Sequence, residues 1–244
     1  MKKLRQLCSR MFSQFPFFIA SQLVLFECAR RLFDRHCQPS YSQTGEDRLI
    51  DFYLSSYSGP QFYVDIGCHT PTAMSNTMRL YRQGWHGLCI DGNPDLISEY
   101  RRVRPRDISI CACVSNEEVE TTFTIPDTPA MSTLSKQFVE ERLQGASTLQ
   151  ERIVKTQTAQ SLFTQHDVPN EFALLTIDVE GHDFEVLTSF DLRSHLPFLI
   201  VIEIHGLEPF TSESAEHPIC KYLSKHGYQV VAYSSMNAYF IRRH

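Results

Sequence analysis

Four short apolar runs in this chain end alike, and that repetition constrains the fold more than any other feature. FYVDIG (62–67), GLCIDGN (87–93), FALLTIDVEGH (172–182) and FLIVIEIHG (198–206) each close on an acid with a glycine close behind. Apolar runs of about four to eight residues bounded by turn residues are buried strands, too short for helices. The segments between them carry helical signals. Leu49, Ile50, Tyr53 and Leu54 have helical spacing after the acids Glu46 and Asp47; Pro71 and Gly84 bracket a second helix, and Pro94 opens a third that runs toward Pro105. A further strand is predicted at 108–114, and helices at 183–190 and 215–226, with Gly227 as a stop. The more polar stretch 116–170 alternates like half-exposed strands at 121–125 and 152–158, with a helix at 136–144 between them. Two closing strands, 228–233 and 238–242, are separated by a short turn and are predicted to pair antiparallel. Strands alternating with helices give an α/β fold, a doubly wound and mainly parallel sheet that binds ligands beyond the carboxyl ends of its strands.

Composition removes several function classes. With 42% hydrophobic and 21% charged residues among 244, the chain is an ordinary globular one and not a disordered one. Residues 1–36 hold seven Lys/Arg against Glu27 and Asp34, a net +5; the whole chain is -5, so the remainder carries -10. The body therefore has no basic footprint for nucleic acid. Eight cysteines form no CxxC pair, which argues against a zinc ribbon or thioredoxin chemistry and for reduced thiols in a cytoplasmic protein. The apolar run 15–26 is short of the ~20 residues a membrane span requires. Basic residues ahead of it resemble a signal peptide. The preferred reading is a helical segment over 1–38, packed on the domain or resting on a membrane surface, followed by one domain over 39–244.

The acids at the strand ends are the candidate chemistry. Asp91 stands 24 residues after Gly67, where an acid at the end of a second strand takes both ribose hydroxyls of a nucleoside. The first turn, Gly67-Cys68-His69-Thr70-Pro71, lacks the glycines that let a pyrophosphate approach backbone. A nucleoside without phosphates fits better, and S-adenosylmethionine (SAM) is one, its cationic sulfonium matched to Asp65. The alternative is that Asp65 and Asp91 only cap the helices that follow.

Asp178 with Glu180, and Glu203 with His205, are spaced i and i+2, so they converge if their strands are neighbours. Clustered carboxylates need a shared proton or a cation. They provide a general base for a hydroxyl acceptor, or, through Asp178, Glu203 and His205, an oxygen-rich seat for Mg, Mn or Fe. Caps or arginine pairs are the plainer explanation. His182 is a further base candidate. Gln43, Glu46 and Asp47 either fold over the cofactor or start a helix. Ser75, Asn76 and Thr77 either meet the methionine carboxylate or face solvent.

Taken in order, SQTGED, VDIGCHTPTAMSNT, GWHGLCIDGNP, LLTIDVEGHDFEVL and VIEIH closely resemble the FkbM-type methyltransferases, from Tyr41 to the C-terminus. The resemblance implies a class I methyltransferase sheet, Rossmann-like and seven-stranded with a reversed last hairpin. It also implies SAM as cofactor and O-methylation of sugars or polyketide-type natural products. Asp65 and Gly67 would frame the methionine end, Asp91 the ribose, the residues around Val114 and Ser115 the adenine, and 178–182 the acceptor. The expected cofactor set is Gln43, Asp65, Gly67, His69, Ser75, Asn76, Asp91, Asn93 and Ser115; the expected catalytic set is Asp178, Glu180, His182, Glu203 and His205. His69 and Pro71 depart from the usual glycine-rich first loop. A small-molecule or glycolipid acceptor is expected, with 2-O-methylation of fucose on a nodulation lipo-oligosaccharide as the specific expectation. A nicotinamide-dependent dehydrogenase and a non-catalytic nucleoside-binding module compete. The missing glycines oppose the first, and four polar strand ends oppose the second.

Overall fold

The computed structural model describes residues 8–9, 11–33, 38–206 and 211–243. Its centre is a seven-stranded sheet of order β3-β2-β1-β6-β7-β9-β8. The strands are β1 (Phe62–Ile66), β2 (His86–Asp91), β3 (Ile108–Cys111), β6 (Glu171–Ile177), β7 (Leu196–Glu203), β8 (Tyr228–Ser234) and β9 (Asn237–Arg242). Strands β3, β2, β1, β6 and β7 run parallel, and β9 joins β7 antiparallel with β8 outside it. The doubly wound sheet with a reversed last hairpin is thus the one expected from the sequence.

The apolar runs are continuous because both faces of the sheet are covered. Val64, Ile66, Leu88, Ile90, Leu175 and Ile177 pack on one side with Phe163, Val186 and Leu187. Tyr63, Cys89, Leu174 and Val201 point the other way, against Ile50, Trp85 and Tyr100. Alternate residues of one strand thereby supply two cores.

Helices α1 (Phe17–Phe33), α2 (Glu46–Leu54), α3 (Met78–Arg82) and α4 (Pro94–Val103) precede a two-stranded sheet of β4 (Glu120–Pro126) and β5 (Leu149–Lys155), with α5 (Lys136–Arg142) between its strands. Then come α6 (Ala159–Gln165), α7 (Asp183–Leu187), α8 (Ser212–Glu216) and α9 (Pro218–Lys225).

Several boundaries differ from expectation. The helix expected from Pro71 starts only at Met78, because side chains and distant backbone claim the preceding segment. Thr70 Oγ1 takes Ala73 N–H, Tyr41 C=O takes Ser75 N–H, and Met74 has a positive φ. The helix expected over 215–226 breaks where Pro218 forces His217 into extended backbone. β5 begins three residues earlier than expected, at Leu149, and β3 stops at Cys111 rather than 114. Helix α6, capped by Thr158 Oγ1 on Ser161 N–H, was not expected at all.

Ala20 of α1, with Met11 and Phe15, packs against Met78 and Tyr81. No described helix is long and apolar enough to cross a membrane. Cys8, Cys28, Cys68, Cys89, Cys111, Cys113 and Cys220 form no disulfide; Cys37, and residues 1–7 of the signal-like segment, lie outside the described residues.

Candidate active site

A cleft of about 960 Å³, open mouth included, lies beyond the carboxyl ends of β1, β2 and β6. Its floor depends on one glycine. Gly67 has φ 81°, and a Cβ there would fall on the Asp178 carbonyl oxygen. That oxygen can press so close because Gly67 and Cys68 donate their N–H groups to Ile90 C=O, while Asp178 N–H bonds Ile66 C=O. Three strand ends are stitched together at backbone level, and any side chain at position 67 would part them.

Asp65 is buried on this floor and accepts from Thr77 Oγ1 at 2.6 Å. The fully buried Arg104 donates to the same hydroxyl at 2.9 Å and is itself neutralised by Asp107 at 2.7 Å. Burial raises the Asp65 carboxyl to about 6, with Thr77 and Arg104 pulling against it. Asp91 is oriented by backbone: His69 N–H reaches Oδ2 at 3.0 Å and Asn93 N–H reaches Oδ1 at 2.8 Å. Each oxygen keeps a second lone pair, the arrangement that accepts from two vicinal hydroxyls. The wall opposite is apolar: Phe123 comes from β4, Leu134 from the β4–β5 connection, and Cys113 and Val114 follow β3. A Cβ at Gly92 would stand 2.7 Å from the Phe123 ring, so glycine there lets the ring close down.

The other end of the cleft is acidic. Register pairs Ile177 with Ile202, which brings Asp178 beside Glu203 at the ends of neighbouring parallel strands. Glu180 arrives by another route: it and Gly181 both take positive φ, so a left-handed turn swings its carboxylate round. His205 Nε2 lies 3.0 Å from the buried Glu203 Oε2 and 3.6 Å from Glu180 Oε2. These two carboxylates, Glu180 first, push His205 up to about 10, so it is an imidazolium at neutral pH. Burial, then the charge of Glu203, drives the Asp178 carboxyl well above its usual range. Asp183, buried and bonded to Val179 and Gly181 N–H, rises to about 8 for the same two reasons. His182 is the opposite case: burial lowers its pKa and keeps the ring neutral, with Nε2 2.9 Å from Ser115 Oγ.

The Methyltransferase FkbM domain model matches residues 65–230. The chain belongs to the FkbM methyltransferase family. No curated protein matches it. Among solved structures it is similar to a TehB-like SAM-dependent methyltransferase from Corynebacterium glutamicum, at 12% identity over 92% of this chain and 99% of that one, with a TM-score of 0.40. Membership of the FkbM methyltransferase family makes this protein a SAM-dependent methyltransferase rather than a nicotinamide-dependent dehydrogenase.

Within the FkbM-family cleft, Gln43, Asp65, Gly67, His69, Asn76, Asp91, Asp178, Glu180 and His182 all lie on the wall. The rest of the expected set is occupied elsewhere. Ser75 Oγ is buried, accepting from Met78 N–H and Arg104 Nη1; Asn93 caps α4 through Asp95 N–H; Ser115 backs His182. Glu203 and His205 stand behind Glu180. Asp47 holds the 40–42 segment through Ser40, Ser42 and Tyr41 N–H, whereas Glu46 does reach the cleft wall. Among the described residues, the ligand atoms that fall within 4.8 Å of one another belong to Glu180, Glu203 and His205. Glu180 stands in that cluster where Asp178 was a candidate ligand, because the left-handed turn moves Glu180 into the gap. Phe123, Leu134 and Asp183 were not foreseen. The inward alternation of Phe123 and Ile125 was the available signal for the first.

Proposed function

We propose that this enzyme methylates a hydroxyl group of a sugar or glycolipid, with Glu180 as the base that receives the hydroxyl proton. The observation that carries this reading is the Glu180 carboxylate, on the cleft wall and backed by the His205 imidazolium and the buried Glu203.

The residues present fit SAM. Asp91 offers its two oxygens to ribose hydroxyls, Phe123 and Val114 give a flat apolar wall suited to adenine, and Gln43, Asp65 and Asn76 ring the polar end. The missing side chain at Gly67 lets the Asp178 carbonyl close in on β1, which draws the strand ends together on the cleft floor. Bound SAM supplies an electrophilic methyl group on sulfur. An attacking hydroxyl oxygen gains a bond to carbon and must shed its proton. Burial raises the Glu180 pKa above the ordinary glutamate range, which brings the carboxylate nearer to the pKa best suited to a base near neutral pH. His205, held by Glu203, keeps that carboxylate charged until the proton arrives. Ser132, Thr133, His182 and Asn237 give the same cleft polar walls, which suit a hydroxyl-rich sugar more than a polyketide alcohol. Fucose on a lipo-oligosaccharide is the specific acceptor to try first.

A divalent cation at Glu180, Glu203 and His205 is a second reading. It is favoured by Glu203 Oε2, which is buried and not aligned for a hydrogen bond despite the nearby imidazolium.

Calorimetry with SAM on the native protein and Asp91→Ala tests the cofactor site. The variant is expected to bind about a hundredfold or more weaker, having lost two hydrogen bonds to a charged acceptor. Methyl transfer to fucosylated acceptors but not polyketide alcohols would support the acceptor reading, and the reverse preference would overturn it. A rate unchanged by EDTA would remove the cation.

A further inference from the structure

Helix α1 is amphipathic in the wrong sense for a surface helix. At about 100° per residue, Phe18, Leu25 and Leu32 fall in one line, with Phe17, Phe26 and Phe33 beside them. These are among the most exposed apolar side chains of the molecule: Phe18 72%, Leu25 72%, Leu32 76% and Phe33 88%. Only Ser21, Gln22, Cys28 and Ala29 lie between them, so this outward face carries no charge. The charges of Glu27 and Arg30 lie toward the domain. Glu27 is 7% exposed, 3.7 Å from Arg82 of α3 and 2.8 Å from Arg30. Ala20, on the same inner side, is fully buried. Anchored by its polar side and a small residue, α1 leaves its apolar side unpartnered, and an apolar face of this size marks an interaction site.

We infer that this face docks on the surface of an anionic lipid bilayer. Charge decides between lipid and a second copy of the chain. Residues 1–36 carry a net +5, whereas the remainder carries -10. Two such segments laid side by side repel, but the same segment is drawn to anionic headgroups, at about 1 kcal/mol per Lys or Arg near the surface. Interfacial binding combines large apolar residues submerged in the bilayer with a net basic sequence drawn to anionic headgroups. The acidic body is repelled by the same surface and stands away from it. Because α1 is too short and insufficiently apolar to span, it lies in the plane of the interface. The inference is independent of which acceptor the enzyme methylates.

Flotation of the full-length protein tests it, using vesicles of phosphatidylcholine alone and of phosphatidylcholine mixed equally with phosphatidylglycerol. The native protein should float with the mixed vesicles and be released by added salt. Leu25→Asp and the triple variant Phe18→Ser, Leu25→Ser, Leu32→Ser should lose binding by more than about tenfold while still binding SAM in calorimetry. Phe18→Trp gives a second readout, its fluorescence moving to the blue with mixed vesicles. Failure of the native protein to float, equal flotation of the variants, or an unshifted Phe18→Trp spectrum would each overturn the inference. So would a lipid-free dimer that the same variants dissociate, which would make the face a self-interface.

Discussion

Glu180 and His205 share one proton economy, and single substitutions separate their parts. Glu180→Gln removes the proposed acceptor of the hydroxyl proton but leaves Asp91 and Gly67 untouched. The expected result is a fall in kcat of about 10²–10⁴ with unchanged SAM affinity, read by steady-state kinetics beside calorimetry. His205→Asn removes a positive charge 3.6 Å from Glu180, so the carboxylate pKa should rise further. The acid limb of the kcat/KM profile should then move to higher pH, whereas a purely structural His205 would lower the rate at all pH values alike. Gly67→Ala meets two obstacles at once, a positive φ and the Asp178 carbonyl where its Cβ would sit. A loss of about 3 kcal/mol or more is expected, visible as a melting temperature lowered by roughly 6–12 °C for a domain of this size.

At the scale of elements, the β4–β5 hairpin turns a nucleotide-type sheet edge into an enclosed cleft. Phe123 and Ile125 point inward against Cys113, while β5 is largely exposed, as with Ile153 at 74%. The hairpin therefore contributes little core and much wall. Phe123→Ala should weaken SAM binding by about tenfold or more through lost apolar contact, and, because the ring is also packed against Cys113 and Ile125, should lower the melting temperature as well. Gly92→Ala should act in the same direction by pushing the Phe123 ring outward. Calorimetry and thermal melts on the two variants separate wall from scaffold.

Across the whole molecule, burial at the strand ends couples the site to stability. Asp65 and Asp183 titrate at about 6 and about 8 in the fold, above the ordinary aspartate value of 3.8. Each favours the fold fully when pH lies below the ordinary value, and that contribution is lost as pH climbs through 6 and 8 respectively. His205 behaves alike: its contribution is complete below 6.5 and is lost as pH passes about 10. All three slopes have one sign, so these groups together lower the melting temperature as pH rises, whereas His69 and His182, whose pKa values burial lowers, slope the other way. Asp183→Asn should flatten the step near 8, which thermal melts across a pH series would show.

The strands, their polar ends, the acids at the cleft and the family are all legible in the chain alone. These are local properties: strand burial is written as continuous apolar runs, and an acid just past such a run sits at a fixed offset from the strand that carries it. Asp65, Asp91 and Asp178 were legible for that reason. Meetings between segments far apart in the chain are not legible there, because packing sets them. Glu180 was expected to join Asp178 on one strand face, but both lie beyond the end of β6, and a left-handed turn carries Glu180 to His205. Ser75 and Asn93 had the chemistry of ligands, yet Arg104 and the start of α4 used their oxygens first. The hairpin wall and the direction of α1 were equally hidden. A repeating pattern marks an apolar face, but only packing shows what covers it. In α1 the contacts with Arg82, Met78 and Tyr81 turned Glu27 and Arg30 toward the domain and left the apolar side to the outside.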